Sequence, residues 1–122
     1  MRNLFVLDTN ILVYFFDGNK SAGKLLSTIE YTISSVTYIE LLSDFKTPFA
    51  KREIISEFLS NSTIIQTSPP ICDLAADFRL NYNIKTPDTI IAATAKYLGI
   101  PLITADASFF KIKEIEIIKF TK

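Results

Sequence analysis

The sequence predicts an α/β fold in three layers, a central five-stranded parallel sheet flanked by helices on both faces. Three observations carry this. Short apolar runs alternate with longer segments of helical periodicity, the signature of βαβ units. The first run, Asn3 to Leu7, is unbroken rather than alternating, as befits a strand covered on both faces. Gly18, Pro48, Pro69, Pro87 and Gly99 fall at the ends of helical segments.

The elements follow in order. Asn3 to Leu7 is a strand ending at Asp8, and Thr9 to Phe16 a helix closed by Asp17-Gly18-Asn19. Lys20 to Ile29 places Ala22, Leu25, Leu26 and Ile29 at helical spacing. Tyr31 to Ser34 is a second strand, and Ser35 can cap a helix with Val36, Ile39, Leu42 and Phe45 on one face. Thr47-Pro48 opens another helix whose apolar residues are Phe49, Ile54, Ile55, Phe58 and Leu59. Thr63 to Gln66 is a third strand. Ser68-Pro69-Pro70 starts a helix to about Tyr82, with Ile71, Leu74, Ala75 and Phe78 spaced to face a core. Pro87 to Leu98 is an alanine-rich helix stopped by Gly99. Pro101 to Thr104 and Ile115 to Phe120 are the fourth and fifth strands. Right-handed crossovers then give a parallel sheet, and residues 1–122 are expected to form a single domain.

Composition narrows the chemistry. Hydrophobic residues make up 48% and charged residues 21%, which places the chain among globular proteins rather than disordered ones. No apolar run approaches the ~20 residues of a bilayer span. The N-terminus lacks a long apolar leader segment, so a cytoplasmic location is expected. The single cysteine, Cys72, can form neither an internal disulfide nor a zinc cluster, and is expected in the core of a helix. There is no histidine, which excludes Ser-His-Asp and Cys-His nucleophile systems and histidine acid–base ribonuclease chemistry. Three glycines form neither a P-loop nor a G-x-G-x-x-G.

Four acids stand where a doubly wound fold puts its chemistry, at or just beyond the carboxyl ends of strands. Asp8 ends the first strand, and Asp106 follows the fourth after Thr104-Ala105. Glu40 lies six residues after the second strand within Tyr38-Ile39-Glu40-Leu41-Leu42, where partial burial is expected. Asp88 opens the helix that continues Thr89-Ile90-Ile91-Ala92-Ala93. Each also has a plain structural role open to it. Asp8 can cap the next helix, Asp88 can serve the helix dipole for ~0.3–1 kcal/mol, and Asp106 can start a turn with Ser108. Four carboxylates converging on one sheet edge would repel, raising some pKa values unless a cation intervenes. Mg²⁺ or Mn²⁺ suits such a ligand set and can activate water against a phosphodiester without histidine.

Net charge is zero, with 13 basic and 13 acidic residues, and that total does not indicate nucleic-acid binding. Setting the four acids aside leaves 13 basic residues against nine, a remainder of net +4. Lys111, Lys113, Lys119 and Lys122 form one basic group and Lys46, Lys51 and Arg52 another. Either reads as a solvated face; as phosphate contacts they would position RNA without reading its sequence. Val13-Tyr14-Phe15-Phe16 offers more apolar surface than one helix face normally buries, so it belongs either to the core or to a dimer or partner groove.

These motifs resemble the PIN-domain family, and most closely the short VapC-type toxins of prokaryotic toxin–antitoxin pairs. The resemblance rests on Leu7-Asp8-Thr9-Asn10-Ile11-Leu12-Val13, Ser35-Val36-Thr37-Tyr38-Ile39-Glu40-Leu41, Pro87-Asp88-Thr89-Ile90-Ile91-Ala92-Ala93 and Leu102-Ile103-Thr104-Ala105-Asp106. Their order and spacing fit nearly the whole chain. The resemblance implies Mg²⁺- or Mn²⁺-dependent cleavage of RNA, with Asp8, Glu40, Asp88 and Asp106 as the acidic, metal-holding site and Asn10 and Thr104 supporting it by hydrogen bonding. It also implies a homodimer and a small antitoxin partner. Many relatives carry a further acid where this chain has Ser108, while the aromatic Phe109 that usually follows is present. A haloacid-dehalogenase-like phosphatase also begins with a strand and an Asp, but wants an acid where Asn10 stands; turnover of a phosphomonoester and not RNA would mark it. A non-cutting PIN-like module that binds RNA or protein would show no affinity for the metal. A receiver-type signalling domain is a weaker alternative, because no acid follows the third strand.

Overall fold

The computed structural model describes residues 4–122. The elements run β1 (Leu4–Leu7), α1 (Thr9–Phe16), α2 (Lys20–Thr28), β2 (Glu30–Ser34), α3 (Ser35–Leu42), α4 (Phe49–Ser60), β3 (Ile64–Ile65), α5 (Pro69–Asn81), α6 (Thr86–Leu98), β4 (Leu102–Thr104), a short 3₁₀ helix (Ala107–Lys111) and β5 (Ile117–Lys119). All strand pairs are parallel, in the order β3-β2-β1-β4-β5. The expected first strand began at Asn3, which lies outside the described residues.

Strand pleating sorts the core into two faces. Val6 pairs with Leu102 and Leu7 with Ile103, and successive side chains point to opposite sides. Val6 and Leu102 meet Ile71 and Phe78 of α5 and Ile91 of α6; Leu7, Ile33 and Ile103 meet Ile11 and Leu12 of α1, Leu41 of α3 and Ile55 of α4. The sheet is thus buried on both sides, as its unbroken apolar strands require. Gly99 ends α6 in the left-handed region at φ 67°, a conformation that carries no steric penalty only for glycine. Pro69 and Pro70 open α5 at positions where the missing N–H is harmless.

The chain builds β1, β2 and β3 outward to one side, then returns to lay β4 and β5 on the other side of β1. The order therefore reverses beside β1, and the crevice above the carboxyl ends of β1 and β4 is where such sheets receive ligands.

Several expectations fail on helix faces. Cys72 is exposed, not core, because Ile71, Ala75 and Phe78 define the buried stripe of α5 and Cys72 sits about 100° around from Ile71. Ser34, not Ser35, caps α3, its side chain accepting from the Val36 N–H at 3.1 Å. The buried positions of α3 are Thr37 and Leu41, whereas Ile39 and Phe45 are 61% and 84% exposed. In α4, Ile55 and Leu59 are buried while Phe49 and Ile54 point outward. The third and fifth strands are shorter than expected, at two and three residues.

Candidate functional site

Asp8, Glu40, Asp88 and Asp106 all line one open cleft of about 310 Å³, with Thr9, Asn10 and Val13. The fold brings them together from four elements. β1 delivers Asp8 at its carboxyl end, α3 delivers Glu40 one and a half turns in, α6 delivers Asp88 in its first turn, and the turn after β4 delivers Asp106.

Asp8 is the buried member, at 5% exposure. Its Oδ1 accepts from the Thr9 N–H at 2.8 Å and its Oδ2 from the Thr104 hydroxyl at 2.6 Å. Thr104 Oγ1 in turn accepts from the Asp106 N–H at 2.9 Å. A single buried hydroxyl therefore spans two of the acids, its proton committed to Asp8 and a lone pair to Asp106. Asp106 Oδ1 accepts from the Ser108 N–H at 2.9 Å, capping the 3₁₀ helix. The capping and turn roles open to Asp8 and Asp106 are both realised, within the same cleft.

Glu40 is exposed rather than partly buried. Its apolar neighbours in sequence do not enclose it, because Ile39 itself faces outward. It is held nonetheless: the Thr9 hydroxyl donates to its Oε1 at 2.5 Å, and the Thr9 and Thr37 hydroxyls lie 3.0 Å apart. Thr9 and Thr37 escaped the sequence reading, which followed apolar periodicity; the signal available was a hydroxyl at a buried helical position, Thr37 being fully buried.

The electrostatics are strained. Burial pushes Asp8 from the ordinary 3.8 up to about 6, against the hydrogen bonds from Thr104 and Thr9 and assisted by the charges of Asp88 and Asp106. Asp88 is also raised, by its burial first and then by Asp106 and Glu40, while Lys85 pulls the other way. Asn10 Oδ1 is buried and has no hydrogen-bond partner. A cleft holding raised carboxylates and an orphaned amide oxygen matches the oxygen-donor preference of a hard divalent cation. Among the described residues no three acids are gathered tightly enough to enclose an ion by themselves. A cation there would keep part of its water shell, as Mg²⁺ commonly does.

The α1 aromatics divide. Phe15 and Phe16 pack with Phe58 at ring separations of 5.8 and 5.2 Å and are half-buried. Val13 is 41% exposed and lines both the acidic cleft and a second groove that continues past Glu40 to Asp17 and Lys51.

Comparison with known proteins agrees with this architecture. The ribonuclease VapC6 of Methanocaldococcus jannaschii is 30% identical over 96% of this chain and 97% of its own length. A toxin–antitoxin complex from Klebsiella pneumoniae contains a chain 30% identical, with a TM-score of 0.82 over 93% of this chain and 95% of that one. VapBC2 from Rickettsia felis, solved bound to a promoter DNA fragment, shares the fold at 24% identity and a TM-score of 0.82, covering 97% and 99%. The model of the PIN domain matches residues 5–115, a span that contains all four cleft acids and the Thr9 and Thr104 hydroxyls that hold them, and the chain belongs to the PIN-domain family.

Proposed function

We propose that this chain is a metal-dependent endoribonuclease that hydrolyses RNA phosphodiester bonds, the toxin of a toxin–antitoxin pair, with residues 1–122 acting as a single PIN-like unit. The observation that supports it most is the convergence of Asp8, Glu40, Asp88 and Asp106 on one cleft in which two of them have raised pKa values. The likeness to a ribonuclease over nearly the whole chain points the same way.

In this reading the four acids would hold Mg²⁺ or Mn²⁺, with Asn10 and Thr104 supporting the site by hydrogen bonding. The cation supplies a lowered water pKa and charge neutralisation at a phosphodiester oxygen. The protein supplies the rest. Thr104 fixes Asp8 and Asp106 relative to each other, and Thr9 aims Glu40 into the cleft. Water adds to phosphorus, the 3′-oxygen leaves as a hydroxyl, and the 5′-phosphate stays with the downstream fragment. Membership of the PIN-domain family removes the dehalogenase-like reading.

The test is purified protein on total RNA. Cleavage should cease in EDTA, return with Mn²⁺ or Mg²⁺, and leave 5′-phosphate and 3′-hydroxyl ends. Cleavage that persists in EDTA, or 2′,3′-cyclic phosphate ends, would overturn the mechanism; absence of Mn²⁺ affinity would favour a non-cutting module.

The same reading carries a small antitoxin and a second copy of the chain as partners. The groove from Glu40 to Lys51, with exposed Val13 on its wall, suits a segment of a small antitoxin lying across the approach to the acids. Homodimerisation, checked by light scattering, and a cytoplasmic location belong to the same proposal. Among the described residues no helix is long and apolar enough to cross a membrane.

A further inference from the structure

An RNA strand entering this cleft meets carboxylates, so a cation of the protein near the entrance would offset the repulsion of its phosphates. Of the seven residues in the two basic groups, three are engaged elsewhere. Lys51 pairs with Asp17, Arg52 donates to the Asp44 carbonyl at 3.1 Å and Lys111 to the Asn83 carbonyl at 3.1 Å. Lys122 is placed differently. Its ammonium stands 4.6 Å from the centroid of the Tyr14 ring, and that ring stacks on Phe120 at 6.1 Å. Phe120 is itself anchored, its N–H donating to the Thr104 carbonyl at 2.8 Å. Thr104 is the residue that bridges Asp8 and Asp106. Tyr14 follows Asn10 by four positions on α1, on the same helix face and about 6 Å further along the axis. Through Phe120 and Thr104 the ring and its ammonium are therefore tied to the carboxyl end of β4, beside the cleft but outside its lining. On the other flank, Lys85 stands at the start of α6.

Resting on the ribonuclease reading, we propose that Tyr14 and Lys122 form a phosphate subsite for single-stranded RNA beside the acidic cleft, the ring holding the ammonium where the next backbone phosphate passes. Lys122 is the contact residue, and Tyr14, backed by Phe120, is its positioning residue. An exposed cation–ring contact is weak, so the ammonium can turn to a phosphate without disturbing the fold. A backbone contact of this kind strengthens binding of every sequence alike.

The experiment uses the full chain with Mn²⁺ and short single-stranded RNAs of several sequences, comparing Lys122→Gln, Tyr14→Phe and Tyr14→Leu with the parent. Lys122→Gln should raise KM by about three- to tenfold for all sequences, keep kcat within about twofold, and shallow the salt dependence of binding by about 0.7 in log–log slope. Tyr14→Phe keeps the ring and should match the parent; Tyr14→Leu should behave like Lys122→Gln. A merely structural Tyr14 would instead lower the melting temperature and kcat in Tyr14→Leu with KM unmoved. If Tyr14→Leu fails to fold, Lys122→Gln decides alone, and an unchanged KM and salt slope in it overturn the subsite. If the parent cuts no RNA, the ribonuclease reading fails separately. Fluorescence anisotropy with the same labelled oligonucleotides then reads the subsite, and equal affinities for parent and Lys122→Gln overturn it.

Discussion

Replacing Asp8 with Asn should make the metal-free protein more stable at neutral pH and slightly less stable in acid. The carboxyl rises from 3.8 to about 6 on folding, with burial as the leading cause. Between those values the folded chain holds a proton that the unfolded chain has released. Stability is therefore fully present below about pH 4 and is lost as pH rises through 6. At about 1.4 kcal/mol per pH unit, the separation corresponds to about 3 kcal/mol at neutrality. Asn keeps an oxygen for the Thr9 N–H but no longer accepts from the Thr104 hydroxyl, a loss of about 1 kcal/mol. Asp8→Asn should then exceed the parent by about 2 kcal/mol at pH 7.5, roughly 5–10 °C in Tm, and fall below it by up to about 1 kcal/mol at pH 4. Thermal melts followed by circular dichroism in EDTA, from pH 4 to 8, should show the two curves crossing at about pH 4.5. A parent whose Tm is flat between pH 4 and 6, with Asp8→Asn destabilised equally at every pH, would refute the reasoning and leave Asp8 a favourable helix cap.

Asp88→Asn should be at least as stable as the parent in EDTA at pH 7.5, since it removes a half-buried charge that Asp106 and Glu40 oppose; a simple helix-dipole role would instead cost ~0.3–1 kcal/mol. With Mn²⁺ at a hundredfold over Kd the parent should gain about 2.7 kcal/mol, and melts should show Asp88→Asn losing most of that gain. Thr104→Val strands the Asp106 N–H and removes a bond that holds the Asp8 carboxyl down. It should cost about 1–3 kcal/mol at neutral pH and move the loss of stability to higher pH in the same melts; an unchanged midpoint of that pH dependence would sink the bridging role.

The sheet and the four acids were legible because both depend on local order. An unbroken Leu4–Leu7 run bounded by an acid suits a doubly covered strand, and its end places Asp8 at the carboxyl edge. Gly99 stops α6 for a backbone reason visible in one residue. Helix faces were less legible. Ile39 and Phe45 share one apolar face by spacing, and Phe49 and Ile54 stand among the apolar residues of α4, yet each is at least 61% exposed. On an eight-residue helix two apolar stripes fit the same spacing, and tertiary contacts decide between them. The choice in α3 is made by Thr37, whose hydroxyl sits against that of Thr9. A polar residue at a core position carries no hydrophobic signal. For the same reason the supports of Glu40 were invisible while Glu40 itself was not, although its expected burial was wrong.

Capping and site chemistry meet in Asp8. In a parallel sheet each strand leads into a helix, so its carboxyl end lies against the next helix's free N–H groups. An acid there is welcome as a cap, and Asp8 does accept from Thr9. Had capping been its whole role, the N–H bond and the nearby helix dipole would hold its pKa below the usual carboxylate range. The reverse holds: with two hydrogen bonds in its favour, Asp8 is still raised to about 6. Burial and the neighbouring charges outweigh the cap. Two further acids, Asp88 and Asp106, add their charge to a site already short of solvent, and Asn10 adds a buried oxygen without a donor. Each of these features destabilises the folded chain, and in the proposed reading a divalent cation would relieve them together. A chain that needed only a helix cap would have had no use for the other three acids.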